Sequence, residues 1–198
     1  IGLKQGWCDS PLTKEGIQQI EKMSQLLKDE KITKAYTSPT LRAKQTAQII
    51  LKEHDVLLHE DERLKEVNFG VLEGLPCSFV DTLHLESPSW LDDLEMDYTS
   101  YQGENIDDVI IRQQKVLKEI EKISNEEDCI VVVGHGCSLY ALIKTLLKDE
   151  KIAFPGNASA YILCKKLNIP VSNVDFANEV KNYFEGMDSR DTKEELRL

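Results

Sequence analysis

His135 stands between two glycines at the end of an apolar run, Cys129-Ile130-Val131-Val132-Val133-Gly134-His135-Gly136. Ile and three consecutive Val favour a strand with no polar face, as in a parallel sheet covered on both sides. Glycines on either side of the ring permit a sharp turn and leave room for a ligand to approach. An imidazole at a strand's carboxyl end can hydrogen-bond a bound anion or carry a proton, and ligands of open α/β sheets bind at that end. The alternative is a histidine that only caps the strand.

Two further groups fit the same chemistry. In Thr37-Ser38-Pro39-Thr40-Leu41-Arg42-Ala43, Arg42 falls in the first turn of an expected helix. A cation is misplaced beside the partly positive amino end of a helix. A phosphate held by the guanidinium fork and the free N–H groups would resolve the conflict, whereas a solvated surface arginine would need no ligand. Glu66, in Arg63-Leu64-Lys65-Glu66-Val67-Asn68-Phe69-Gly70, is a candidate general acid. A phosphate dianion nearby would raise its pKa and keep a proton available for a leaving alcohol. Otherwise Glu66 is one of 35 acidic residues and solvated.

The elements that must position these groups alternate between helix and strand. Thr13 caps a helix running to about residue 29, with Ile17, Ile20, Met23 and Leu27 on one face. A strand at 32–38 precedes a helix at 40–53, and 56–58 reads as a strand. Residues 64–74 are irregular, and 77–103, acidic and aromatic, should hold short helices. A long amphipathic helix covers 105–124, the strand at 130–133 follows, and a helix runs from 138 to about 148. Strands are expected at 158–164 and 174–177, and the tail at 187–198 is charged. This order predicts an α/β sandwich around one sheet, a single domain over 1–186 with an inserted segment at about 75–103.

Composition narrows the partners. A net charge of −11 with no basic patch argues against nucleic acid. No apolar stretch approaches the roughly 20 residues of a membrane span, and no leader is visible. Five scattered cysteines without a Cys-x-x-Cys pair indicate neither a zinc site nor a disulfide framework, and suggest a reducing cytoplasm. The expected partner is a small phosphorylated molecule, and a homodimer stays open.

Five segments in order resemble the histidine phosphatase superfamily, the phosphoglycerate mutase-like proteins. They are Gln5-Gly6-Trp7-Cys8-Asp9-Ser10-Pro11-Leu12-Thr13 with Gly16, then Thr37-Ser38-Pro39 through Arg42 to Ala47. Leu64-Lys65-Glu66 with Gly70 and Glu73-Gly74 follows, then Gly103-Glu104-Asn105 and Val133-Gly134-His135-Gly136, with Asn157 beyond. The resemblance implies a three-layer α/β sandwich, its central, mostly parallel sheet flanked by helices. It implies that Arg42 and His135 bind the transferred phosphoryl group, with Gly136, Gln5 and Ser10 beside it. Glu66 would donate the proton to the leaving oxygen and then serve as base for water. No metal or cofactor is implied.

One element of the family pattern falls before Ile1. The resemblance places the nucleophilic histidine in an Arg-His-Gly motif that ends the first strand, shortly before the segment matching Gln5. His54, His59 and His84 lie in segments that do not match that motif. A missing central strand would leave buried backbone groups unpaired, so we expect the native protein to carry this strand and its histidine upstream. Three functions follow. The first is a phosphatase that acts on a small monoester through a phosphohistidine. The second is a phosphoglycerate mutase-type phosphoryl transfer. The third is a phospholigand-binding protein that has lost its nucleophile. Residues 75–102 contain no Lys or Arg to grip a carboxylated substrate, which favours the phosphatase.

Overall fold

The computed structural model describes residues 2–147 and Phe154. The expected strands at 158–164 and 174–177, the tail at 187–198 and Asn157 lie outside the described residues. Helix α1 (Lys14–Leu27) starts where Thr13 accepts a hydrogen bond from the Gly16 N–H at 3.0 Å. Strand β1 (Ile32–Thr37) leads into α2 (Leu41–Ile50), which ends in a 3-10 turn at Leu51–Glu53. Strand β2 (Leu58–Glu60) lies two residues later than its apolar run Val56-Leu57-Leu58 predicts. Its pairing with β1 fixes it there, Ala35 opposite Leu58 and Thr37 opposite Glu60, and Leu57 is left exposed.

Residues 62–103 carry short elements, among them α3 (Cys77–Val80) and α4 (Trp90–Asp93). Asn105 then caps α5 (Ile106–Lys122) through the Asp108 N–H at 2.9 Å. Strand β3 (Cys129–Val133) and α6 (Gly136–Leu147) complete the described chain. Helix α6 begins two residues before the expected start, so His135 stands directly at its amino end.

The three strands form a parallel sheet in the order β2-β1-β3. One face carries Ala35, Val131 and Val133 against α1 and α2, with Ile20, Ala43, Ala47 and Ile50 in that cluster. The other carries Tyr36, Ile130 and Val132 against Leu64 and the α5 residues Val116 and Ile120. Helices therefore flank the sheet on both sides, as expected. The prediction that β3 is covered throughout needs correction: Val133 is buried, but residues 129–132 are half-buried. Among the described residues β3 is an edge, paired with β1 alone.

The segment 75–103 is packed into the molecule. Val80, Met96 and Tyr98 are buried with Val67, Phe69, Val109 and Ala141 in one cluster. Tyr98 meets Phe69 edge-on at 4.9 Å between ring centroids, and its hydroxyl donates to Glu86. Phe79 is exposed, whereas Trp90 packs against Tyr140 and Phe154. Gly70 closes the approach to this segment. Its φ is +57°, and a Cβ there would lie 1.9 Å from the Tyr101 carbonyl oxygen, so no other residue fits without moving the backbone.

Candidate active site

Parallel pairing brings the carboxyl ends of the three strands together. Thr37 pairs with Val133, and the Ser38 N–H donates to the Val133 carbonyl at 2.9 Å. From these ends the chain continues to Arg42, Glu66 and His135. His135 is 9% exposed. Its Nε2 lies 2.8 Å from the Ser38 hydroxyl and 3.3 Å from that of Thr40. Its carbonyl accepts the Leu139 N–H at 3.0 Å, so His135 opens α6 as well as ending the β3 connection.

The flanking glycines differ from expectation. Neither takes a positive φ, so no left-handed turn is needed. A Cβ on Gly134 would sit 3.1 Å from Leu139, and one on Gly136 would sit 3.3 Å from Phe154. The space they provide is used by close packing against protein.

Glu66 is 6% exposed, so it is not a solvated acid. Its Oε1 accepts the N–H groups of Val67 at 2.9 Å and Ser138 at 2.8 Å, and its Oε2 accepts the Cys137 N–H at 3.0 Å. The carboxyl group thus fills the anion-binding end of α6, immediately beside His135. Burial pushes its pKa up, against the three backbone donors and the charge of Arg42.

The Arg42 guanidinium turns toward the loop at 5–8. It donates to the carbonyls of Cys8 at 3.0 Å, Gly6 at 2.7 Å and Gln5 at 3.4 Å. Its charge is felt by both Glu66 and His135. The amino end of α2, expected to take a phosphate, is instead met by Asp9, whose Oδ1 accepts the Leu41 N–H at 2.6 Å. The anion that resolves the electrostatic conflict there is a protein carboxylate. Gln5 joins the site through its carbonyl, and Ser10 is half-buried next to Asp9. Gly136 is the first residue of α6, and Glu66 takes the N–H groups of the two residues after it.

Three groups important to this geometry were given no role by the sequence. Glu73 accepts the N–H groups of Trp7 at 2.7 Å, Cys8, and Phe69 at 3.4 Å, so the 5–8 loop lies between a guanidinium on its carbonyls and a carboxylate on its amides. Gly6 allows this loop to touch the Glu66 segment, since a Cβ there would be 2.1 Å from the Val67 carbonyl oxygen. Arg112 holds the Glu66 carbonyl at 2.7 Å, and Trp7 Nε1 donates to the same oxygen at 2.9 Å. A long-range pair of this kind leaves no periodicity in sequence.

Electrostatics keep the buried imidazole neutral. Burial first, then the charges of Arg42 and Arg112, hold the His135 pKa down to about 3 from 6.5. Unfolding restores the ordinary value, so the unfolded chain binds more protons between those limits. Stability contributed by His135 is therefore present above pH 6.5 and is lost as pH falls toward about 3. Glu66, with its raised pKa, acts in the opposite sense. Comparing the wild type with His135→Asn cancels the Glu66 contribution. The wild type should lose about 2 kcal/mol more than the variant between pH 7 and 5, measured by denaturant unfolding at both values. Equal losses would show that the imidazole is protonated as readily folded as unfolded.

The cysteines beside the site are not activated. Burial raises the pKa of Cys8 and, more strongly, of Cys137, and the neighbouring acids Glu73 and Glu66 add to it. Among the described residues no group of His, Cys, Asp or Glu is arranged to hold a metal, and no helix is long and apolar enough to cross a membrane.

Comparison with known proteins bears on the fold and the family. The probable phosphoglycerate mutase GpmB of Erwinia tasmaniensis is 32% identical over 175 residues, covering 86% of this chain and 76% of that protein. The crystallised mycobacterial glucosyl-3-phosphoglycerate phosphatase with bound VO3 superposes with a TM-score of 0.68 at 25% identity, over 80% of this chain and 81% of that one. Bacillus stearothermophilus YhfR gives a TM-score of 0.66 at 27% identity, over 80% of each chain. Residues 2–192 match the profile of the histidine phosphatase superfamily (branch 1), and the chain belongs to that family.

Proposed function

We propose that this protein is a phosphatase that hydrolyses a small phosphate monoester through a phosphohistidine. The observation that carries the reading is the buried Glu66 carboxyl, set beside His135 at the amino end of α6 and within the field of Arg42. A pure anion binder gains nothing from a carboxyl group with a raised pKa at that place. In this reading a histidine preceding Ile1 attacks phosphorus as the bond to the ester oxygen breaks. Arg42 and His135 stabilise the charge on the non-bridging oxygens, and Glu66 gives its proton to the departing alkoxide. The Glu66 carboxylate then takes a proton from water. The resulting hydroxide attacks the phosphohistidine, releasing inorganic phosphate and restoring the imidazole.

His54, His59 and His84 serve this role poorly. His54 follows the turn after α2, His59 in β2 stacks on Tyr36 of β1, and His84 follows the turn after α3. Mutase chemistry is the second reading, favoured by the names of the relatives in Erwinia and Yersinia. The absence of Lys and Arg from 75–102 weighs against it.

The deciding experiment uses the protein expressed from its native start codon, with excess EDTA. A panel of sugar and nucleoside monophosphates and 3-phosphoglycerate is followed by phosphorus NMR. Release of inorganic phosphate is expected. Interconversion of 3- and 2-phosphoglycerate without release would replace the phosphatase with a mutase. Binding without either reaction would replace both with a phospholigand receptor.

A further inference from the structure

Arg112 lies on α5, in the layer that packs under the Glu66 segment. Its guanidinium makes five hydrogen bonds. Nη1 donates to the carbonyls of Arg63 and Lys65, both at 2.7 Å. Nη2 donates to the Glu66 carbonyl at 2.7 Å and to Glu104 Oε2 at 3.0 Å, and Nε donates to Glu104 Oε1 at 2.9 Å. Glu104 is itself tied to the same strip of chain. Its Oε2 accepts the Asn68 N–H at 2.9 Å, and its N–H donates to the Asn68 carbonyl at 2.9 Å. Both side chains of the pair are largely buried, at 15% and 19% exposure.

The segment 63–68 is thus gripped on both sides of Glu66, on its carbonyls by the guanidinium and at Asn68 by the carboxylate. Trp7 Nε1 fixes the Glu66 carbonyl from the loop at 5–8. A 3-10 turn at Glu62–Leu64 and irregular chain after it have no ladder of their own to set the direction of the Glu66 side chain. A planar fork that holds the carbonyls of Arg63, Lys65 and Glu66 together supplies that constraint, and a lysine, with a single flexible ammonium, does not.

We propose that Arg112, clamped by Glu104, is a positioning residue that aims the Glu66 carboxyl for proton transfer. This rests on the acid role proposed for Glu66. Its signature is selectivity for the leaving group, because a poor leaving group depends on the acid and a good one does not. In the full-length protein, Arg112→Lys should lower kcat for an alkyl phosphate by about tenfold or more relative to p-nitrophenyl phosphate, with KM for both nearly unchanged. In a Glu66→Gln background the same change should have no further effect on the alkyl ester. Equal losses on both esters, or losses that multiply in the double variant, would overturn the proposal and leave Arg112 a structural residue. Glu104→Gln keeps the volume and one acceptor. It should show the same selectivity in weaker form if Arg112→Lys does not fold, and a uniform loss there also overturns the proposal.

If the wild-type protein hydrolyses neither ester, the phosphatase reading falls separately. Carbon-13 NMR titration of the Glu66 carboxyl in wild type and Arg112→Lys then decides the positioning role without turnover. A shifted midpoint supports it, and an unchanged midpoint overturns it.

Discussion

Glu66→Gln is expected to slow hydrolysis of alkyl phosphates by about 10²–10⁴ while leaving p-nitrophenyl phosphate within about tenfold of the wild type. The variant retains the size of the side chain, and its carbonyl oxygen can still accept from Val67 and Ser138. The amide NH2 then meets the Cys137 N–H that the wild-type carboxylate accepts at 3.0 Å, donor against donor. That mismatch should cost about 1–3 kcal/mol of stability, small enough for the fold to survive. Loss of activity with loss of fold is thereby separated from loss of the proton. An equal effect on both esters would remove Glu66 from the acid role.

His135→Ala carries the second large effect. If His135 stabilises the phosphoryl oxygens as proposed, its removal should lower kcat by about 10²–10³, for aryl and alkyl esters alike. The uniformity distinguishes it from Glu66→Gln. The fold should persist, because the backbone carbonyl of His135 still accepts the Leu139 N–H that starts α6. Ser38 and Thr40, which lose the imidazole, lie 3.3 Å apart and can pair with each other. Steady-state kinetics with circular dichroism of the same samples checks both parts. Unchanged turnover would sink the assignment of this site.

Local signals made the frame of the molecule legible. Thr13 announces the start of α1, and the apolar spacing of Ile106, Val109, Ile110 and Ile120 marks the buried stripe of α5. Cys129 to Val133 forms the strand its β-branched run demands. The strand-end placement of Arg42 and His135 follows from the order of elements, since parallel pairing must bring those ends together. What stayed hidden depends on distant partners. The apolar run at 56–58 points to a strand two residues early, because hydrogen bonding to β1 decides its position. Nothing around Asp9 shows that its carboxylate will meet the Leu41 N–H 32 residues away. The burial of Glu66 depends on α6 arriving 71 residues later, and the Arg112–Glu104 clamp depends on the fold that brings α5 beneath that strip.

Segment 75–103 has a kinetic consequence. Val80, Met96 and Tyr98 share one apolar cluster with Val67 and Phe69, the residues that follow Glu66. Lifting the segment would return three buried side chains to water at about 1.5–3 kcal/mol each, and so would hold the lifted form below about one molecule in 10³. A displacement that rare would also strip packing from the chain next to the proton donor. The segment then stands as a fixed wall beside the chain that follows Glu66. On the phosphatase reading proposed above, turnover would be paced by bond breaking or by phosphate departure rather than by motion of this segment, and solvent viscosity should weigh on the second alone.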